Sequence, residues 1–268
     1  YTAYRGDGYV RNIVAANVSA SMGLTIDPDC EIILTPGTQA ALYTALSAIV
    51  EVNDKVVIVD PDSLTNERLM NYFGAEIIKI PLRWEDGEKG YFDFDELEAA
   101  FRTRPKVFVF SNPNNPTGMI HDEPTLRRIA DLAIKYDVLV VADELYSRLV
   151  YDGREFTHLA ALDGMKDRTI TLMGPSKTES MSGYRLGIAV APPAVIDRME
   201  DVQSVAALRA PAYAQRLLVH WLKDDIDLVA TRVREYQSLR DMVVRTFNST
   251  NFIRAVPSQG TSYIFPRI

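Results

Sequence analysis

The chain has 268 residues, 47% hydrophobic and 24% charged, a composition that excludes disordered and fibrous classes and gives length for a large core or two domains. Its net charge of −7 and pI near 5.1, with Lys and Arg scattered, argue against a nucleic-acid partner. No apolar run approaches the ~20 residues of a membrane span and the first residues lack a signal-peptide layout, while a single cysteine, Cys30, points to a reducing cytoplasm.

Taken in chain order, Arg11–Met22 predicts a helix, and Glu31–Thr35 the first strand. That strand runs into Pro36-Gly37-Thr38-Gln39 and then an apolar helix over Ala40–Val50. Free N–H groups at such a helix start suit an anion, although Thr38 also reads as a plain N-cap. Val56–Asp60 and Glu76–Ile80 are short strands around a helix at Asn66–Phe73. An acidic loop follows over Trp84–Tyr91, and then a helix over Asp93–Phe101. Lys106–Ser111 is a strand that ends in the turn-forming Asn112-Pro113-Asn114-Asn115-Pro116-Thr117-Gly118. Glu123–Tyr136 is an amphipathic helix, Val138–Ala142 a strand leading to Asp143-Glu144-Leu145-Tyr146, and Arg168–Met173 a strand leading to Lys177. Gly187–Ala191 is the seventh strand.

Short apolar strands alternating with helices imply a mostly parallel sheet covered on both faces, with ligands beyond the carboxyl ends of the strands. Gly37-Thr38, Asn115, Asp143 with Tyr146, and Lys177 each follow a strand directly, so polar groups from separate strands are expected at one edge. Beyond Pro192-Pro193 the pattern turns helical over Ala194–His220 and Ile226–Phe247. Asn251–Val256 and Thr261–Phe265 then read as two strands. The composition shift sets a domain boundary near Arg209–Tyr213, dividing 1–210 from a partial α+β domain at 211–268. His121, His158 and His220 are far apart, match no metal-ligand spacing and read as surface or packing residues.

The segments Asn112–Gly118, Ala142–Tyr146, Ser176-Lys177 and Gly183-Tyr184-Arg185-Leu186-Gly187 resemble, in order and spacing, the signature segments of the class I and II aminotransferases, which are fold-type-I pyridoxal-phosphate enzymes. The resemblance implies a seven-stranded large-domain sheet whose last strand is antiparallel. It also implies transfer of an amino group between an amino acid and a 2-oxo acid. Lys177 would hold pyridoxal 5′-phosphate as a Schiff base and shuttle a proton, and Asp143 would face the pyridine nitrogen. Asn115 and Tyr146 would bond the ring phenolate oxygen. Arg185, Ser176 and the N–H groups of Gly37, Thr38 and Gln39 would bind the phosphate. Tyr1, five positions before Gly6, matches a segment whose tyrosine reaches the neighbouring subunit's phosphate, which implies a homodimer with shared sites.

Two positions depart from the family pattern. Ser63 stands where a ring-stacking aromatic is common, and Gly174 where a phosphate-binding serine is common. Both leave open a decarboxylase, lyase or oxidative deaminase on the same fold, and a non-catalytic module is a further alternative. The arginine that binds the substrate α-carboxylate in the family is expected outside this chain, which reads as part of a longer protein lacking segments at both ends.

Overall fold

The computed structural model describes residues 2–84 and 90–268. In chain order its elements are α1 (Gly8–Met22), β1 (Ile32–Thr35), α2 (Thr38–Ile49), β2 (Lys55–Asp60), α3 (Leu64–Phe73), β3 (Glu76–Arg83), β4 (Tyr91–Phe92) and α4 (Phe94–Arg102). There follow β5 (Val107–Ser111), α5 (Glu123–Tyr136), β6 (Leu139–Asp143), β7 (Thr169–Met173), β8 (Gly187–Val190), α6 (Pro193–Ala206), α7 (Ala212–Gln215) and α8 (Ile226–Asn248). The strands form one sheet in the order β1-β8-β7-β6-β5-β2-β3-β4. The pairings from β3 through β2, β5 and β6 to β7 are parallel, and β8 is antiparallel to both of its neighbours. The expected mostly parallel sheet is therefore present with one addition, the two-residue β4 antiparallel to β3.

The central strands are buried along most of their length because helices cover both faces. Every residue of β5, β7 and β8 is buried. On one face Leu42, Leu46 and Ile49 of α2 and Ile196 and Met199 of α6 pack on Val56, Val109, Val141 and Ile170. On the other, Leu97 and Phe101 of α4 and Leu126 and Ile129 of α5 pack on Val57, Phe108, Phe110 and Val140. A third cluster joins Val10, Val14 and Val18 of α1 to Ile32, Leu34 and Ile188, and extends to Ala214, Leu218 and Trp221. Capping explains why α5 matches its expected span. The Asp122 carboxylate accepts from Thr125 N at 3.2 Å, and Asp137 closes the helix in the left-handed region at φ 55°.

The C-terminal region departs from expectation. The stretch read as one helix over Ala194–His220 is broken between α6 and α7, where Leu208 has φ 62° and Pro211 opens the next turn. Residues 251–265 hold no strand, only single bridges between Arg254 and Arg267 and between Val150 and Gly260. Their backbone groups find partners in loops instead of a ladder. Gln259 N and Gly260 N donate to Gly118 O at 2.8 and 2.9 Å, and Thr261 N donates to Leu149 O at 3.0 Å. Most of the loop expected over Trp84–Tyr91 lies outside the described residues. Among the described residues no helix is long and apolar enough to cross a membrane, and no group of three acidic, His or Cys side chains could hold a metal.

Candidate active site

Strands β2, β5, β6 and β7 run in one direction, and β1, paired antiparallel with β8, shares it. Their carboxyl ends lie along one edge, and the reversed β8 brings its amino end there. Register fixes the order across that edge. Thr35 sits opposite Gly187, Ser111 opposite Asp143, and Asp143 opposite Leu172.

At one end of the edge is an anion cradle. Gly37, at φ 96°, caps α2 without any side-chain hydrogen bond, and no acidic residue stands in the first turn. The positive end of the helix is thus uncompensated. Arg185 lies over it: a Cβ on Gly37 would come within 2.7 Å of the Arg185 Cζ, so the guanidinium reaches this position because Gly37 has no side chain. The guanidinium is steadied by Ser182 O at 3.0 Å and Pro36 O at 3.3 Å. Thr38, the first residue of α2 rather than its cap, donates its hydroxyl to Met173 O at 3.4 Å and ties the helix start to β7. Gly174 fits the same seam, since a Cβ there would meet Thr38 Oγ1 at 3.0 Å and Leu186 O at 3.1 Å. Ser176 is buried beside this cradle in the chain, while Gln39 is exposed.

Next along the edge, Lys177 stands exposed on the turn after β7, and Asp143 ends β6 half-buried, its carboxylate accepting from Leu145 N at 3.2 Å. Burial pushes Asp143 up to about 6, while the Leu145 N–H and the Lys177 charge pull it the other way. Asn115 is half-buried, and its backbone N–H donates to Ser111 Oγ at 3.0 Å. Tyr146 is buried with its hydroxyl 3.1 Å from that of Tyr263, and burial first, then Tyr263, raises the phenol well above its ordinary value. The sequence-derived residues Gly37, Thr38, Gln39, Asn115, Asp143, Tyr146, Ser176, Lys177 and Arg185 thus all stand at or just beyond this edge. Tyr1 lies outside the described residues.

Three features escaped the sequence reading. Tyr263 reaches Tyr146 across 117 positions. Arg148 links Glu179, two residues past Lys177, to Asp225 at the start of α8. Asp62, just past the end of β2, is buried beside Ser111 and Asn114. Like Asp143, Asp62 stands at the carboxyl end of a strand, and that placement is the signal for it in the sequence. His121 and His158 are buried packing residues, the first stacked on Phe92 and the second paired with Glu144, and His220 is at the surface.

Comparison with known proteins supplies the context for this edge. The family model for aminotransferases of class I and II matches residues 1–268. An aromatic-amino-acid aminotransferase of Thermococcus litoralis is 32% identical over 261 residues, covering 97% of this chain and 66% of its own length. An aspartate aminotransferase of Pyrococcus abyssi is 31% identical over the same shares of each chain. The crystal structure of an aspartate aminotransferase from Rhodobacter sphaeroides superposes with a TM-score of 0.95 at 40% identity, covering 100% of this chain and 68% of that one. The chain spans about two thirds of the length of these relatives.

Proposed function

The chain belongs to the class I and II aminotransferases, a pyridoxal-phosphate-dependent family, and from that premise we propose that it transfers an amino group between an amino acid and a 2-oxo acid, with Lys177 as the lysine that carries the cofactor. The residues present suit that cofactor. A dianionic phosphate needs a cation and free N–H donors, which Arg185 and the uncapped start of α2 provide where Gly37 leaves no side chain in the way. When bound, pyridoxal phosphate supplies an aldehyde for the Lys177 amine and a conjugated ring that takes up the electron pair released at the substrate Cα.

The protein's share is binding, orientation and proton movement. Asp143, at about 6, is mostly ionised at neutral pH and holds a proton on a ring nitrogen placed against it. Asn115 and Tyr146 orient the ring through its phenolate oxygen. Arg185, Ser176 and the N–H groups of Thr38 and Gln39 anchor the phosphate, whereas the Gly37 N–H, expected to join them, donates instead to Thr35 O at 2.7 Å. The Lys177 Nζ removes the proton from the substrate Cα and returns it at the other end of the reacting system. The carrying observation is that Asp143 and Lys177 stand at the ends of the neighbouring strands β6 and β7, on the same sheet edge as the Arg185 cradle at the start of α2.

We extend the proposal to a homodimer in the cytoplasm. A cavity of about 640 Å³ beside Arg185 is lined by Gln39, Tyr43, Leu69 and Ala206, and the nearby chain exposes Val205 at 86% and Leu208 at 54%, a surface suited to a second copy. Tyr1 of that copy is the proposed additional phosphate ligand. The one thiol, Cys30, is free. A division of the chain near Arg209–Tyr213 is supported by the break between α6 and α7, although Ala214, Leu218 and Trp221 beyond it still pack on α1.

Borohydride reduction of the holoenzyme followed by peptide mapping tests the lysine: the label is expected on Lys177 and absent from Lys177→Ala. One equivalent of amino acid should convert the cofactor to its amine form, and a 2-oxo acid should restore it. Release of ammonia or carbon dioxide in place of that exchange would select the deaminase or decarboxylase reading instead.

A further inference from the structure

Asp62 is a buried carboxylate that no cation neutralises among the described residues. Five donors converge on it. Ser63 N and Ser111 Oγ bond Oδ1 at 2.6 and 2.7 Å, with Asn66 Nδ2 at 3.4 Å, and Ser111 N and Asn114 Nδ2 bond Oδ2 at 2.8 and 3.3 Å. Burial pushes the group up to about 7 in spite of the bonds from Ser111 and Ser63, and Asp143 is the charged neighbour that adds to the rise. A buried carboxylate without a cation is costly, and an apolar residue of similar size would stabilise the fold more simply. Its partners show what it does instead. With the Ser111 hydroxyl proton committed to Asp62, the same oxygen accepts the backbone N–H of Asn115 at 3.0 Å. Asn114, also bonded to Asp62, accepts from Thr117 N at 3.1 Å and so closes the turn from its other side. The turn that carries Asn115 is therefore fastened to the end of β2, not only to its own strand β5.

We propose that Asp62 is a positioning residue of the active site, which acts through the Ser111 hydroxyl to fix the turn that presents the Asn115 amide to the cofactor. The inference rests on the reading of Asn115 as a cofactor ligand, and it adds a residue next to Ser63, which stands where the family commonly has an aromatic. A purely structural Asp62 would weaken cofactor binding equally whether or not Asn115 has its amide. A positioning Asp62 acts only through that amide.

The test is a double-mutant cycle read as the dissociation constant of pyridoxal phosphate, from quenching of intrinsic fluorescence of the apo-protein. Asp62→Asn and Asn115→Ala are each expected to weaken binding about tenfold, and the double variant no more than Asn115→Ala alone. Losses that multiply in the double variant, or unchanged affinity in Asp62→Asn, overturn the proposal. Ser111→Ala keeps the backbone donors and removes only the relaying hydroxyl. It is run through the same cycle, and its result decides the matter should Asp62→Asn not fold. Borohydride labelling of wild-type Lys177 is scored separately: a labelled lysine with an additive cycle sinks this inference alone, and an unlabelled one sinks the cofactor reading beneath it.

Discussion

The hydroxyls of Tyr146 and Tyr263 lie 3.1 Å apart, and their rings meet edge-to-face with centroids 5.7 Å apart at 69°. Tyr146 follows β6 and is a proposed cofactor ligand, whereas Tyr263 belongs to the irregular C-terminal stretch. The Tyr146 hydroxyl donates to the Tyr263 oxygen, which fixes where the Tyr146 hydroxyl sits at the sheet edge. Tyr263→Phe removes that orienting partner and should weaken pyridoxal phosphate binding a few-fold, in line with ~1 kcal/mol for one neutral hydrogen bond. Tyr146→Phe should cost more, because it removes the ligand itself. Fluorescence titration of both variants checks the order, and equal affinity for Tyr263→Phe and wild type would show that the pair does not orient Tyr146.

Gly37 offers a sharper case, because its backbone is strained for any other residue and a Cβ there would displace the Arg185 guanidinium. At φ 96°, with Arg185 Cζ 2.7 Å from where a Cβ would stand, Gly37→Ala strains the turn and pushes the guanidinium off the start of α2. We expect a loss of about 1–3 kcal/mol in stability and a larger proportional loss in phosphate affinity. Thermal unfolding with and without inorganic phosphate separates the two. Phosphate is expected to stabilise the wild type and not the variant, and equal stabilisation of both would mean that the cradle lies elsewhere.

Much of this arrangement was legible in the chain, and for identifiable reasons. β5 and β7 read clearly because both of their faces are buried, which fills them mostly with β-branched and apolar residues, and α5 read to its last residue because Asp122 and Asp137 mark its ends. Asp143 and Lys177 were found because the sheet brings to one edge whatever follows a strand, and Arg185 through the family resemblance of the segment Gly183–Gly187. β4 escaped because two residues, Tyr91-Phe92, carry no period. The stretch 251–265 misled because its Ile, Phe and Tyr residues look like strand, while the backbone of Gln259, Gly260 and Thr261 between them bonds the loops at Gly118 and Leu149. Tyr263 and Asp225 could not be placed at the site from sequence, since only the tertiary fold brings them to Tyr146 and Arg148.

Three carboxyls in and around the site make stability depend on pH with an unusual sign. Burial raises Asp62 and Glu179 to about 7 and Asp143 to about 6, each above its ordinary value. The folded state therefore holds protons that the unfolded chain has released. Stability falls as pH rises from about 4 toward 7 and levels off above that, the reverse of a salt-bridged carboxylate. Urea midpoints of the apo-protein between pH 5 and 8, at constant ionic strength, should decline with pH. Asp62→Asn should flatten the slope, and a midpoint that climbs over this range would contradict the assignment.

Arg148 gives the last prediction. Its guanidinium bonds Asp225 through both terminal nitrogens, at 2.7 and 2.8 Å, and also bonds Glu179, with side-chain exposures of only 16%, 12% and 4% for Arg148, Asp225 and Glu179. Burial raises Asp225 too, but the bonds from Arg148 outweigh it and hold that carboxyl below its ordinary value. Glu179, with weaker relief, is the one pushed up. Because Glu179 is two residues from Lys177 and Asp225 stands at the start of α8, the arginine fastens the lysine turn to that helix, with Arg232 adding a bond to Thr178 O at 3.2 Å. Arg148→Met leaves two buried carboxylates facing each other and should cost about 3 kcal/mol or more near pH 8. At pH 5.5 the loss should shrink, since Glu179 then takes up a proton and the repulsion goes with it. Arg148→Lys should recover only part of the stability, because an ammonium cannot grip Asp225 with two parallel bonds. Denaturation of all three proteins at both pH values reads the effect directly. A loss that is the same at pH 5.5 and pH 8 would mean that charge at Glu179 is not what Arg148 restrains.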